Sequence, residues 1–512
     1  MLPKMLSYRE LFLIWTILVL GALSLPTLAQ GDDQTLLIKH ITLVSPEQEA
    51  PLPDMDILVA DGRIIRIGKQ LKASGASIIE GRGKYLIPGL IDSHVHLGSD
   101  GGVLPDETVE NKALIESFRT QEPRSYLYFG FTTLMDLMQS EGFAKKWQQL
   151  AVRPDLMYCK GVPFANGYGM AFQPEEVRFK TPYFIYDPAQ RESIPHDLDP
   201  AAHTPEAVIA KVSKTKAACI KTFHESGFGG LWNWPVPGND VIRRLNDLAG
   251  EAGLLHIHHG NSLASYEQAA VSGVDIMAHG LWHWGEENGS EQIPPRVKTV
   301  LHQLVTQGTA LQATARVIAA ELDVYDEDFL ANEDIRHSLP AQLLDWHKAG
   351  NSDWFRQRMD KMVRENPGVV RRFLGREPIG TVGETSRAAI ARLEKTVRHL
   401  KGLGATFLLA SDTPSSPTYA NPPGLNGTME IELLHQMGLS LSDVFSAATI
   451  NNAKILGIDG EVGTIEVGKR ANLLVLERNP LETIKAYTEI ETIIIGGQPI
   501  PREQLSATVE NH

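Results

Sequence analysis

Leu86-Ile-Pro-Gly-Leu-Ile-Asp-Ser-His-Val-His-Leu97 is an apolar run broken by Pro88-Gly89 and closed by two histidines on alternate residues. Side chains two apart on a strand point the same way, so His94 and His96 can reach one ion. Neutral imidazole is the commonest side-chain metal ligand. The pair marks the end of a buried strand and directs attention to the ends of the other strands.

Further ligand-type residues recur there. Ala217-Ala-Cys-Ile-Lys221 ends an apolar run on a lysine, and Val274-Asp-Ile-Met-Ala-His279 ends on a histidine. In Leu254-Leu-His-Ile-His-His-Gly260, His256 and His258 share one face of the strand and His259 takes the other. Ala405-Thr-Phe-Leu-Leu-Ala-Ser-Asp412 closes on an aspartate, which is costly to bury unless paired, hydrogen-bonded or metal-bound. Singly, such a lysine reads as a surface ion-pair partner and such a histidine as a satisfied rim residue. Together they read as one site. Neutral imidazoles with carboxylate oxygens suit Zn²⁺, or a similar divalent ion such as Mn²⁺.

The middle of the chain alternates apolar strand-like runs with helical patterns, which predicts a parallel sheet with crossover helices. Eight strands are expected, ending near His96, Asp136, Gly161, Phe223, His259, His279, Ala313 and Asp412. Eight such units over roughly 300 residues fit an α/β fold, a (β/α)₈ TIM barrel with insertions, whose catalytic rim lies at the C-terminal ends of its strands. The competing doubly wound sheet lacks a Gly-rich phosphate fingerprint after its first strand. Long segments at 163–205 and 320–384 follow barrel strands and are expected to shape or cover the pocket.

Both ends have a different texture. Leu36–Val44 and Asp56–Gly68 alternate with period two around Asp61-Gly62, predicting a β-hairpin. Ala471–Leu476 and Glu491–Gly497 repeat that texture. The expected architecture is therefore a barrel at 87–440 with a small β-sandwich domain built from both termini. Residues 30–86 supply its first part, and 441–512 the last barrel helix and its second part.

The first 29 residues have the layout of a secretory signal peptide. Lys4 and Arg9 precede an apolar run from Leu11 to Leu25, and Thr27-Leu-Ala29 offers a small residue for cleavage. The alternative is a membrane anchor, although about 20 apolar residues are needed to span a bilayer. An exported protein, periplasmic or secreted, with no stable anchor after cleavage is expected. Net charge is −14 and becomes −15 on cleavage, which disfavours nucleic acid as a partner and leaves a small-molecule substrate. A homo-oligomer is compatible with such a barrel. The two cysteines, Cys159 and Cys219, lie in apolar strand-like runs and are expected to be buried free thiols.

The chain resembles the amidohydrolase superfamily, specifically its imidazolonepropionase- and prolidase-like branch. The resemblance is carried by Pro88–His96, Gly130–Asp136, Ile220-Lys221, Ala270–Gly280, Ala447–Gly457 and Val462–Val475. It implies that His94, His96 and Asp412 hold one divalent ion and that His259 and His279 hold the second. It also implies that Lys221, carboxylated on its amine, bridges them. Counting back from His279 favours His259, with His258 as the reserve. Some members of the branch use one metal and lack the lysine; Ile220-Lys221 favours two. Six ligands also exceed what one tetrahedral Zn²⁺ with an open position can use.

The expected activity is metal-dependent hydrolysis of a C–N bond in an amide, cyclic amide or small peptide, with Asp412 relaying a proton. The alternatives are an esterase, lactonase or phosphotriesterase on the same site, or a non-catalytic envelope binding protein. Trp232-Asn-Trp234 and Trp282-His-Trp284 hold half of the eight tryptophans just after ligand-bearing strands. They are read either as pocket wall or as loop packing. Tyr168, His224, Trp282 and His283 are weaker candidates for substrate contact.

Overall fold

The computed structural model describes residues 35–228, 230–375 and 380–509; the signal-peptide expectation for residues 1–29 lies outside them. Pro88-Gly89 proves to be the joint between two sheets. The Gly89 N–H donates to Asn472 O at 2.8 Å in one sheet, and the next N–H, that of Leu90, donates to Gly130 O at 3.0 Å in the other. A Cβ at position 89 would lie 2.1 Å from Thr132 Oγ1, so only glycine permits this close approach.

After the joint run eight parallel strands: β6 (Leu90–Val95), β7 (Phe131–Asp136), β8 (Asp155–Gly161), β9 (Cys219–Phe223), β10 (Leu255–His259), β11 (Ile276–Ala278), β12 (Ala310–Gln312) and β13 (Phe407–Leu408). They pair in sequence order from β6 to β13. The barrel closes where the Ser93 and His96 N–H groups donate to Leu409 O (3.0 Å) and Thr413 O (2.7 Å). All eight expected strands are present.

The connecting helices bury one stripe each. Asn239–Glu251 turns Ile242, Leu245 and Ala249 inward at helical spacing. Leu263–Ser272 starts at a Ser262/Ser265 capping box. Ile91, Met135, Cys159, Cys219, Ile257, Ile276, Ala310 and Leu408 fill the barrel's interior below the rim.

The other sheet draws on both ends of the chain. It contains β1 (Leu36–Leu43), β2 (Leu52–Ala60), β3 (Arg63–Gly68), β4 (Ser77–Glu80) and β5 (Tyr85–Pro88), then β14 (Leu473–Leu476), β15 (Ile490–Ile495) and β16 (Gln498–Pro501). Their order is β16-β15-β14-β5-β1-β2-β3, with β4 also paired to β1. The hairpin expected at Asp61-Gly62 joins β2 to β3. Both residues have positive φ, 52° and 73°, as a tight primed turn requires.

One expectation is overturned. Cys159 and Cys219 are not free thiols: they form a disulfide. Neighbouring β8 and β9 pair with Cys159 directly opposite Cys219, their Cα atoms 4.5 Å apart, within bridging range.

Among the described residues no helix is long and apolar enough to cross a membrane. Residues 163–205 form turns and short helices around their own small cluster of Ala165, Met170, Phe184 and Ile194. Within 320–384 run the helices Ala341–Lys348, Asp353–Glu365 and Pro367–Leu374.

Candidate metal centre and its pocket

The pairing of β6 with β7 shifts register between Asp92 and Val95. Ile91 packs in the interior cluster, whereas His94, on the other parity, meets Lys221 and Asp412. A register shift of this kind re-aims side chains beside a site. Asp92, fully buried, fixes it by accepting from the backbone N–H of His94 (3.1 Å) and of Ser411 (3.0 Å) and from Ser411 Oγ (2.5 Å).

Polar atoms converge at the rim. His94 Nε2 lies 2.7 Å from Lys221 Nζ and 2.9 Å from Asp412 Oδ1. His96 Nε2 lies 3.0 Å from that same oxygen. His279 Nδ1 is 3.7 Å from Asp412 Oδ2, and its ring lies 4.4 Å from that of His259, centroid to centroid. Ligand atoms of His94, His279 and Asp412 all fall within 4.8 Å of one another. His258 points elsewhere: its Nδ1 lies 2.7 Å from Thr222 Oγ1, and its ring faces His256 and His224 on the outer side of β10.

Two site residues sit in left-handed backbone, His279 at φ 75° and Asp412 at φ 54°. Each such conformation costs about 1–3 kcal/mol and persists only where neighbours over-determine it. The Asp412 N–H donates to His94 O at 2.8 Å, and Tyr266 Oη donates to His279 O at 2.7 Å. These bonds hold the two strand ends in place.

The donor set fits a divalent metal. Gln312 Nε2 donates to Ser93 O and Oγ, both at 3.0 Å, so its Oε1 must face His94 Nδ1 at 3.1 Å. His94 therefore donates through Nδ1 and carries its lone pair on Nε2, which lies against an Asp412 carboxylate oxygen. That nitrogen lies 2.7 Å from Lys221 Nζ and 2.9 Å from the Asp412 oxygen, an arrangement a cation would satisfy. His279 Nδ1 is engaged by Thr314 Oγ1 at 2.9 Å, and the buried Nε2 atoms of His259 and His279 have no hydrogen-bond partner. At a rim ringed by ligand-type residues, a bound ion would satisfy these two buried nitrogens.

Electrostatics agree. Burial, reinforced by the Lys221 charge, pushes His94 down to about 4, and burial keeps His259 and His279 well below the usual histidine range, so the imidazoles are neutral. Burial also lowers Lys221 to about 8, bringing its free amine within reach of neutral pH. Asp412 is shifted below the usual carboxylate range although burial works to raise it, through its contacts with His94, His96 and His279.

Beside His96 opens a cavity of about 580 Å³. It is lined by the loop after β6, by Pro414–Tyr419 after β13, and by His347, Trp354 and Arg358 from the 320–384 insertion. On the opposite flank Tyr168 stacks on His259, centroids 4.6 Å apart. Trp282 is buried, its ring 6.2 Å from that of His279. His283 Nδ1 accepts from the Gly285 N–H at 3.1 Å, and its ring packs on Phe373. His224 turns to Gln268 Oε1 at 2.8 Å, behind the rim.

Two supporting residues, and the supporting role of a third, escaped the sequence reading. Gln312 and Thr314 flank the end of β12, and Asp136 closes β7. Asp136 Oδ2 accepts from the Leu97 N–H at 2.8 Å and so pins the turn after His96. Polar residues ending apolar strands were the available signal.

Known proteins share this fold. The imidazolonepropionase of Symbiobacterium thermophilum is 24% identical over 472 residues, covering 90% of each chain. The dihydroorotase of Pelotomaculum thermopropionicum is 41% identical over 66 residues, only 13% of this chain and 15% of that protein. A Xaa-Pro dipeptidase with bound methionine superposes with a TM-score of 0.63 at 18% identity, over 91% of this chain and all of that one. Molinate hydrolase gives 0.65 at 16% identity, over 94% and 98%. At such identities these structures speak for the fold. The amidohydrolase family model matches residues 85–500, from the start of β5 through the barrel and into β16. The chain belongs to the amidohydrolase family.

Proposed function

We propose that the protein is a metal-dependent hydrolase that cleaves a C–N bond in an amide, cyclic amide or small peptide. The observation that carries this reading is the convergence of His94, His96, Lys221, His279 and Asp412 at the rim, with His259 in ring contact. His94, His96 and Asp412 would hold one divalent ion, Zn²⁺ or Mn²⁺, and His259 and His279 a second. Such ions supply a Lewis acid for the scissile carbonyl and acidify a water to near-neutral pH.

The chain's own groups do the rest. The Lys221 ammonium would lose one proton to give the free amine, whose nitrogen would bond the carbon of CO₂ with loss of a second proton, leaving a carbamate with two ligand oxygens and one negative charge. The lowered basicity of this buried amine favours that reaction. Asp412, ionised and beside His96, takes the proton of the attacking water and delivers it to the departing nitrogen. Gln312 keeps His94 in the tautomer that presents Nε2. The cavity beside His96 has the size of a small-molecule pocket.

The reading extends to location. The Cys159–Cys219 disulfide supports an oxidising compartment, in line with an exported protein. The test is a turnover panel of dipeptides, hydantoins, lactones and organophosphates on the metal-loaded protein. Cleavage of a dipeptide or hydantoin is expected. Turnover confined to lactones or phosphotriesters would overturn the C–N assignment, and tight binding without turnover would reassign the barrel as a binding protein.

A further inference from the structure

The flank of the site opposite the cavity is built of aromatic rings that run outward from the metal centre. Tyr168 stacks on His259 at 19°. It meets Phe172, Phe228 and Trp234 at 5.5, 5.8 and 5.8 Å. Trp234 stacks in parallel on Trp232, 4.8 Å apart and 8° from coplanar. Exposure rises along this path: His259 is 5% exposed, Phe228 and Trp232 are 37%, and Phe172 is 54%. Large aromatic faces left in water as one contiguous patch mark a binding surface.

The loop after β9 is constructed to present them. Phe228 takes a left-handed φ of 48°, a rare and strained conformation for a bulky residue. The buried Glu225 enforces it by accepting from the Gly227 N–H (2.7 Å) and the Phe228 N–H (2.6 Å). Gly227, at φ 128°, lets Trp232 O approach so closely that a Cβ would lie 2.2 Å from it. Trp234 N–H donates to Ser226 O at 3.0 Å, which closes the loop. The strained loop leaves Phe172, Phe228 and Trp232 partly in water, with Tyr168 and Trp234 half-buried between them and His259.

We propose that Tyr168, Phe172, Phe228, Trp232 and Trp234 form a subsite for a planar ring carried on the acyl side of the substrate, an inference that rests on the amide-hydrolysis reading above. The side follows from the proton path. Asp412 Oδ1 lies 3.0 Å from His96 Nε2, and His96 and the Pro414–Tyr419 loop line the cavity, so the departing amine is assigned to that flank and the acyl substituent to the His259 flank. Flat rings stack on such a surface, whereas an alkyl group gains only part of that contact.

The test compares kcat/KM for benzoylglycine and acetylglycine in the metal-loaded wild type, Phe228→Gly and Trp232→Ala. Phe228→Gly suits the left-handed position and therefore retains the fold. The wild type is expected to prefer the benzoyl compound, and each variant to lower the benzoyl-to-acetyl ratio about ten-fold. Calorimetric titration with the ketone isostere of benzoylglycine, a methylene replacing the amide nitrogen, is expected to show the same loss in Kd. An unchanged ratio in both folded variants overturns the subsite. If the wild type cleaves neither compound, the C–N reading is judged by the dipeptide and hydantoin panel and the titration alone decides the subsite. Weaker isostere binding by the variants then upholds the subsite, and equal or absent binding overturns it.

Discussion

Replacing Gln312 with leucine removes the group that sets the tautomer of His94 while leaving every proposed ligand in place. Gln312 is 1% exposed and makes three hydrogen bonds, to His94 Nδ1 at 3.1 Å and to Ser93 O and Oγ at 3.0 Å. At about 0.5–1.5 kcal/mol net for each bond, the fold should lose roughly 1.5–4.5 kcal/mol. Loss of a partner that orients a metal-binding histidine typically costs about 10–100-fold in metal affinity, or about 1.4–2.7 kcal/mol. Gln312→Glu keeps an acceptor for Nδ1–H but loses the donor to Ser93. It should therefore be destabilised while holding metal near the wild-type level. The assay is metal-buffered titration with Zn²⁺ or Mn²⁺, read by calorimetry and by recovered turnover, beside urea unfolding of each variant. A folded Gln312→Leu protein that binds metal as tightly as the wild type would refute the tautomer argument.

Three further outcomes follow from other parts of the structure. Lys221→Ala should lower the bound metal from two equivalents to about one, read by elemental analysis against protein concentration; an unchanged count would remove the bridge. Cys159→Ser opens a disulfide spanning 60 residues of sequence, for which the chain-entropy model gives about 4 kcal/mol; urea unfolding of oxidised, reduced and mutant protein measures it. Burial, reinforced by Asp136 and opposed by the Gly98 N–H, pushes Glu122 up to about 8 from an ordinary 4.5. Below pH 4.5 both states are protonated and stability is complete; above it the unfolded chain ionises first, so stability falls as pH rises toward 8. At pH 7 the loss is on the order of 3 kcal/mol, and Glu122→Gln should flatten that slope between pH 5 and 8 in unfolding curves.

Much of this molecule could be read from its residues, and the unread part has a common physical origin. The strand ends at Asp136, Gly161 and His259 were visible because an apolar run stopped at a polar or glycine residue. The alternation in Leu254–Gly260 separates His258 from His259, and β10 does turn them to opposite faces. What the linear pattern omits is register between strands. Cys159 and Cys219 look like ordinary apolar-run cysteines until β8 and β9 are aligned. Gln312 is one polar residue in a short run, and its meaning depends on Ser93 and His94, more than 200 residues earlier. The left-handed backbone of Phe228 and the aromatic contacts around it likewise arise only when the loops after β8 and β9 meet.

The central claim is that these residues act through a bound metal. Amide turnover by one protein sample as purified, after exhaustive chelation, and after reloading with Zn²⁺ or Mn²⁺ tests it directly. Hydrolysis is expected to disappear with the metal and return with it. Turnover that persists in a sample shown to be metal-free would contradict it.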